Sequence, residues 1–208
     1  MADIKDVFKE FEDCFATYVE KIGFKKTRKK HFTKKVGQCI QFINICDNKI
    51  RGQQAIEIRI TVGVSYAEVN KKVAELRMKK YESVWPTGSL VLGELSVPPE
   101  NLKSFLTPEC NVQEICEELF EIIAANAPRF WNKTDSMEKM LAALLGDDKE
   151  VCSCTHGLGK PSWTSLAIVC LMDDPSKITE VLKKYEDFFS KNMPDETRMS
   201  LKEKYGLE

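Results

Sequence analysis

From Lys21 to Lys35 the chain carries Lys21, Lys25, Lys26, Arg28, Lys29, Lys30, Lys34 and Lys35 and no acid. That makes the block +8 in a protein of net charge −1, so the rest of the chain sums to −9. Lysines clustered over a loop and an edge strand attract phosphates, and Phe24, His31 and Phe32 supply rings on which bases can stack. Lys25, Lys26, Arg28, Lys29, Lys30, His31 and Lys34 are therefore the candidate binding residues. The competing reading is a solvated loop whose lysines keep an edge strand from pairing with another chain. Binding domains for nucleic acid usually show a basic excess overall, and here the remainder is acidic. In the opposite sense, Ser104 to Pro128 holds Glu109, Glu114, Glu117, Glu118 and Glu121 and no Lys or Arg.

Cys152, Cys154 and His156 place three soft ligands within five residues. Zinc wants four ligands in paired spacings, and no second pair stands nearby, so no metal is assigned; these three are the only outside candidates. Gly157-Leu158-Gly159-Lys160 is not a phosphate loop. Cys154 stands where the first glycine belongs and Pro161 where Ser or Thr belongs, and Pro161 has no N–H to offer a phosphate. His31 and His156 are the two histidines, and no serine-hydrolase elbow, zinc-protease helix or dinucleotide turn occurs. Glu117 and Glu118 are adjacent and diverge on a helix. No catalytic residue and no cofactor are assigned.

The elements that must position these residues begin with a helix from Asp3 to Ile22, whose Ile4, Phe8, Phe11, Phe15, Tyr18 and Ile22 share one stripe. Gly23 stops it. Strands follow at His31–Val36 and Cys39–Cys46, joined through Gly37-Gln38, with Asp47-Asn48-Lys49 as the next turn. Ile56, Ile58, Ile60, Val62 and Val64 alternate with Glu57, Arg59, Thr61 and Gly63, the pattern of an antiparallel strand with one solvated face.

Ser65-Tyr66-Ala67-Glu68 reads as a capping box opening a helix to about Lys80. Ser89 to Val97 reads as a fourth strand. Pro98, Pro99 and Pro108 bracket an irregular connection. Asn111 caps a helix that Pro128 ends. Thr134-Asp135-Ser136 opens a short helix closed by Gly146, and Cys152 to Trp163 reads as loop. Further helices are expected over Thr164–Met172 and Pro175–Asn192, with one more helical turn or two after Pro194.

This order of elements resembles a bacterial family known as domain of unknown function four-three-zero-four. The matching text is Ile22-Gly23-Phe24-Lys25-Lys26, then His31-Phe32-Thr33-Lys34-Lys35, Ile40-Gln41-Phe42-Ile43-Asn44 and Ile60-Thr61-Val62-Gly63-Val64. Ile122 to Leu145 and Leu166 through Tyr185 resemble the family's later helices. Cys46 departs from the glutamine common there, and Glu82 to Leu95 lacks the usual Trp-Arg signature, with Trp85 as its remnant. The resemblance implies a fold and no activity, substrate or catalytic residue.

At 208 residues the chain can bury roughly 70% of its unfolded surface, so it needs no staples. Asp3, Asp6, Glu10, Glu12 and Asp13 interrupt any signal-peptide core, so the expected compartment is the cytoplasm. The eight cysteines, several inside apolar segments, are expected to be reduced. The fold expected is α+β, an antiparallel sheet of about four strands with helices packed on one face and a helical C-terminal part. It is read as one domain over 1–208, with 147–208 as a helical extension. The leading functional reading is a non-enzymatic domain that binds another protein, immunity-like or regulatory in role. A nucleic-acid or phosphate binder using residues 21–35 is the alternative, and an enzyme with an unfamiliar site comes third. No membrane partner is expected.

Overall fold

A computed structural model describes residues 3–81, 86–95, 102–155 and 161–206. In chain order its elements are α1 (Ile4–Glu20), β1 (Lys25–Arg28), β2 (His31–Val36), β3 (Cys39–Lys49), β4 (Ile56–Ser65) and α2 (Ala67–Leu76). After these come β5 (Gly88–Val91), a 3-10 turn (Leu92–Leu95), β6 (Ser104–Leu106), α3 (Val112–Thr134), α4 (Met137–Leu145) and α5 (Lys149–Cys154). The described chain closes with α6 (Pro161–Met172), α7 (Pro175–Lys184), α8 (Glu186–Asn192) and α9 (Asp195–Tyr205). The class is α+β: an antiparallel sheet in the order β1-β2-β3-β4-β5, with β6 beside β4, and a helical C-terminal part. No described helix is long and apolar enough to cross a membrane.

By backbone proximity the chain forms two compact units, Met1–Gly63 with Leu90–Asn132, and Val64–Ser89 with Lys133–Glu208. The first is built on the apolar stripe of α1. Asp3 accepts the Lys5 N–H at 2.9 Å to start that helix, and Gly23 leaves it at φ +88°. Phe11 stacks on Phe15 with ring centroids 5.6 Å apart, and Phe15 meets the edge of Phe32 from β2 at 5.7 Å. Ile56, Ile58, Ile60 and Val62 of β4 are all buried while Arg59 between them is exposed, as their alternation requires. The second unit is centred on α6, where every side chain from Ser162 to Cys170 is buried; it packs against α2, α4 and α7.

The described residues hold six strands where about four were expected, and the differences have local causes. Lys30 at φ +64° turns the chain back on itself, so Lys25–Arg28 forms a hairpin with β2 in place of a loop. β3 continues through Asp47-Asn48-Lys49, and the turn comes later, where Ile50 N–H donates to the Ala55 carbonyl at 3.1 Å. Ser89 to Val97 is no single strand: β5 gives way to the 3-10 turn after Val91, and residues 96–97 lie outside those described. The connection after Pro99 holds the short strand β6, paired antiparallel with Ile56–Ile58.

The capping box does not form. Tyr66 is the first cap of α2, and its N–H donates to Thr87 Oγ1 at 2.8 Å, so a distant hydroxyl takes the role expected of Glu68. The same helix stops at Leu76, because Met78 turns left-handed at φ +51° and Lys79 N–H closes on the Ala74 carbonyl at 2.8 Å.

Pro128 lies inside α3 and does not end it. Proline withholds an N–H from the Ala124 carbonyl and costs about 3 kcal/mol. Burial of Phe130 and Trp131 just beyond it, about 1.5–3 kcal/mol for each, offsets that loss. Trp131 Nε1–H donates to the Gly63 carbonyl at 3.3 Å, and its ring lies 5.0 Å from that of Phe24. Cys152 to Trp163 is not loop throughout: Asp148 caps α5 by accepting the N–H groups of Glu150 and Val151, both at 3.1 Å, and Trp163 is inside α6. Pro175 to Asn192 divides at Tyr185 into two helices, and the segment after Pro194 makes the three turns of α9.

Candidate functional site

The basic block becomes the β1–β2 hairpin at the end of the sheet, with β1 as the edge strand. Lys25 sits opposite Thr33, Lys26 opposite Phe32, and Arg28 opposite His31. The ladder slips between Lys26 and Arg28, leaving Thr27 as a bulge whose hydroxyl donates to the His31 carbonyl at 3.3 Å. All four β1 residues are exposed.

The block is not a uniform field of free charge. Lys26 Nζ is 3.2 Å from Glu12 and 3.4 Å from Asp13 on α1. Lys30 Nζ is 2.5 Å from Asp47 on β3 and 5.0 Å from the centre of the Phe8 ring, while its backbone N–H donates to Glu12 at 2.6 Å. Lys34 Nζ donates to the Ile22 carbonyl at 3.0 Å. Lys21 Nζ stands 4.2 Å above the Tyr18 ring. Lys25, Arg28, Lys29 and Lys35 remain, exposed and with no ion pair to any described residue.

Two of the three rings expected to stack bases are not available. Phe24 is 1% exposed and Phe32 0%, both part of the core under the hairpin. His31 is held by Asn44 Oδ1 at its Nδ1 and lies stacked on Phe42, centroids 5.8 Å apart. The hairpin therefore presents side-chain charge with the half-buried His31 in place of an aromatic platform.

Glu12 is the residue whose part sequence reasoning missed. It lies four residues after Phe8 and three before Phe15, on the stripe that faces the core, and is 4% exposed. A carboxylate on an apolar stripe signals a fixed partner, because a buried charge without one is expensive. Its partners come from a different element, which spacing along α1 could not name.

The cysteine cluster is split by its helix. Cys152 and Cys154 are two residues apart on α5, a spacing that turns side chains away from each other. Cys154 is buried; its Sγ donates to the Val151 carbonyl at 3.0 Å and would lie 2.5 Å from a Cβ added to Gly88. Its role is packing against the bare backbone of β5. Burial pushes its thiol up to about 12 and that of Cys170 up to about 11, and burial also raises Cys116 and Cys152. Thiolate chemistry is disfavoured at all four. His156 and Gly157–Lys160 lie outside the described residues, as does Trp85. All eight thiols are free, and Cys46 is exposed. Among the described residues no three His, Cys, Asp or Glu side chains converge as metal ligands would.

On α3, Glu114, Glu117, Glu118 and Glu121 are exposed while Cys116, Leu119 and Ile123 turn inward. The acidic segment is thus a solvated helix face. No family model, curated protein or solved structure matches the chain.

Proposed function

We propose that this chain is a protein-interaction module whose β1–β2 hairpin meets an acidic surface on a partner protein. The observation that carries the reading is the set of four cations, Lys25, Arg28, Lys29 and Lys35, exposed and without an ion pair among the described residues, while Lys26, Lys30 and Lys34 are held from within. Charges left outside the internal network can steer an oppositely charged partner and set its orientation. Contact runs through side chains. The bulge at Thr27 and the lysines on β1 discourage addition of a further strand.

Burial of Phe24 and Phe32 counts against single-stranded nucleic acid, whose sequence-tolerant binding relies on stacking platforms. The net −9 of the remaining chain also repels long polyanions that extend past the hairpin.

The test compares two fluorescent probes of equal charge, a glutamate-rich peptide and a single-stranded DNA pool, titrated at ionic strength of about 0.15 M. The proposal expects the peptide to bind at least as well as the DNA. Submicromolar, sequence-selective DNA binding would replace it with a nucleic-acid role.

A further inference from the structure

Helices α7, α8 and α9 enclose a groove of about 590 Å³. Leu182, Phe189, Met193 and Leu201 line it with apolar surface, and the last three are buried against the fold, so they form a fixed floor. Its size falls in the range of about 300–1,000 Å³ typical of small-molecule sites.

The charged groups at the groove are unequal in sign. Among the described residues, Lys183, Arg198 and Lys202 face it with Glu186 as the one acid. Arg198 is pre-positioned: one guanidinium N–H donates to the Phe189 carbonyl at 3.1 Å, leaving its other donors for a ligand. Lys184, the neighbour of Lys183, is drawn off to the Leu145 carbonyl at 2.6 Å and Asp147 at 2.7 Å, and does not line the groove. Lys183 and Lys202 make no ion pair with a described residue.

We infer that this groove binds a small amphipathic carboxylate, an unbranched apolar chain lying on Phe189, Met193 and Leu201 with its carboxylate held by Arg198, Lys183 and Lys202. Arg198 supplies directional N–H donors suited to a carboxylate, and the two lysines supply unspecific positive charge. The apolar floor rewards each methylene of such a chain that it removes from water. The lysines also sit in the last turns of α7 and α9, where cations offset the carbonyl ends of a helix without any ligand. Binding separates the two roles.

The probe is decanoate at submicellar concentration, followed by amide chemical shifts of the full chain. Decanoate should move resonances of residues 179–206, and decanol should bind about tenfold more weakly for want of the charge-assisted bonds. Lys183→Glu with Lys202→Glu, both exposed, should weaken decanoate about tenfold or more while leaving decanol binding unchanged, with a small fall in the thermal midpoint from the lost helix-end cations. Equal binding of decanoate and decanol, shifts confined to other residues, or no binding at millimolar decanoate would overturn the inference. So would a response of the same residues to an acidic amphipathic peptide helix but not to decanoate.

Discussion

Glu12 ties α1 to the β1–β2 hairpin at two points. Its carboxylate accepts the backbone N–H of Lys30 at 2.6 Å, which fixes the left-handed turn of the hairpin, and it lies 3.2 Å from Lys26. The first contact satisfies a part-buried donor, whose loss costs about 1–3 kcal/mol, whereas the ion pair to a partly exposed lysine contributes at most about 1 kcal/mol. Glu12→Ala is therefore expected to destabilise the fold by more than Glu12→Gln, which keeps an acceptor oxygen, with urea denaturation as the measurement. Equal losses would mean that the charge alone matters.

Asp148 makes a second residue-level case. Burial raises its pKa, but hydrogen bonds from Lys133 and the Val151 N–H, with the lysine's charge, outweigh burial and hold it below the ordinary carboxylate value. A depressed folded pKa gives stability that is complete above the unfolded value of about 3.9 and is lost as pH falls through the folded one. Between about pH 5 and 2 the wild type should lose more stability than Asp148→Asn, which keeps the cap but does not titrate. The difference should stay below about 1 kcal/mol because the pair is partly exposed. Identical acid limbs would show that the carboxylate is not coupled to folding.

At the scale of elements, patterns within a single segment were legible and pairings between distant segments were not. The stripe of α1 and the alternation of β4 both follow from neighbours in sequence. The start of α2 depends on Thr87, and the passage of α3 through Pro128 depends on Phe24 and Gly63 meeting Trp131. No window along the chain contains both partners in those contacts. Pro128 offers the sharper check. Pro128→Ala restores a backbone donor to the middle of α3 and should raise stability by up to about 3 kcal/mol, read as a higher midpoint in thermal denaturation. A lower midpoint would show that the proline's shape is needed where it stands.

At the scale of the whole molecule, the charge block stood out in the sequence as a run, but its division did not. Glu12, Asp13 and Asp47 reach Lys26 and Lys30 from α1 and β3, so the count of eight cations overstated what a partner meets. Other pairs that looked close in the sequence are separated by the same kind of geometry: Cys152 and Cys154 diverge on α5, and Phe24 and Phe32 are buried beneath the hairpin.

Whether Lys25, Arg28, Lys29 and Lys35 form the contact face is decided by comparing two variants of equal net charge. One changes those four residues to glutamine; the other changes Lys5, Lys9, Lys149 and Lys191, which are exposed elsewhere. Each is titrated with the glutamate-rich peptide across a range of salt. The hairpin variant should lose about tenfold or more in affinity and most of the salt dependence, while the control keeps both. Equal losses in the two variants would mean that net charge attracts the peptide and that the hairpin is no site.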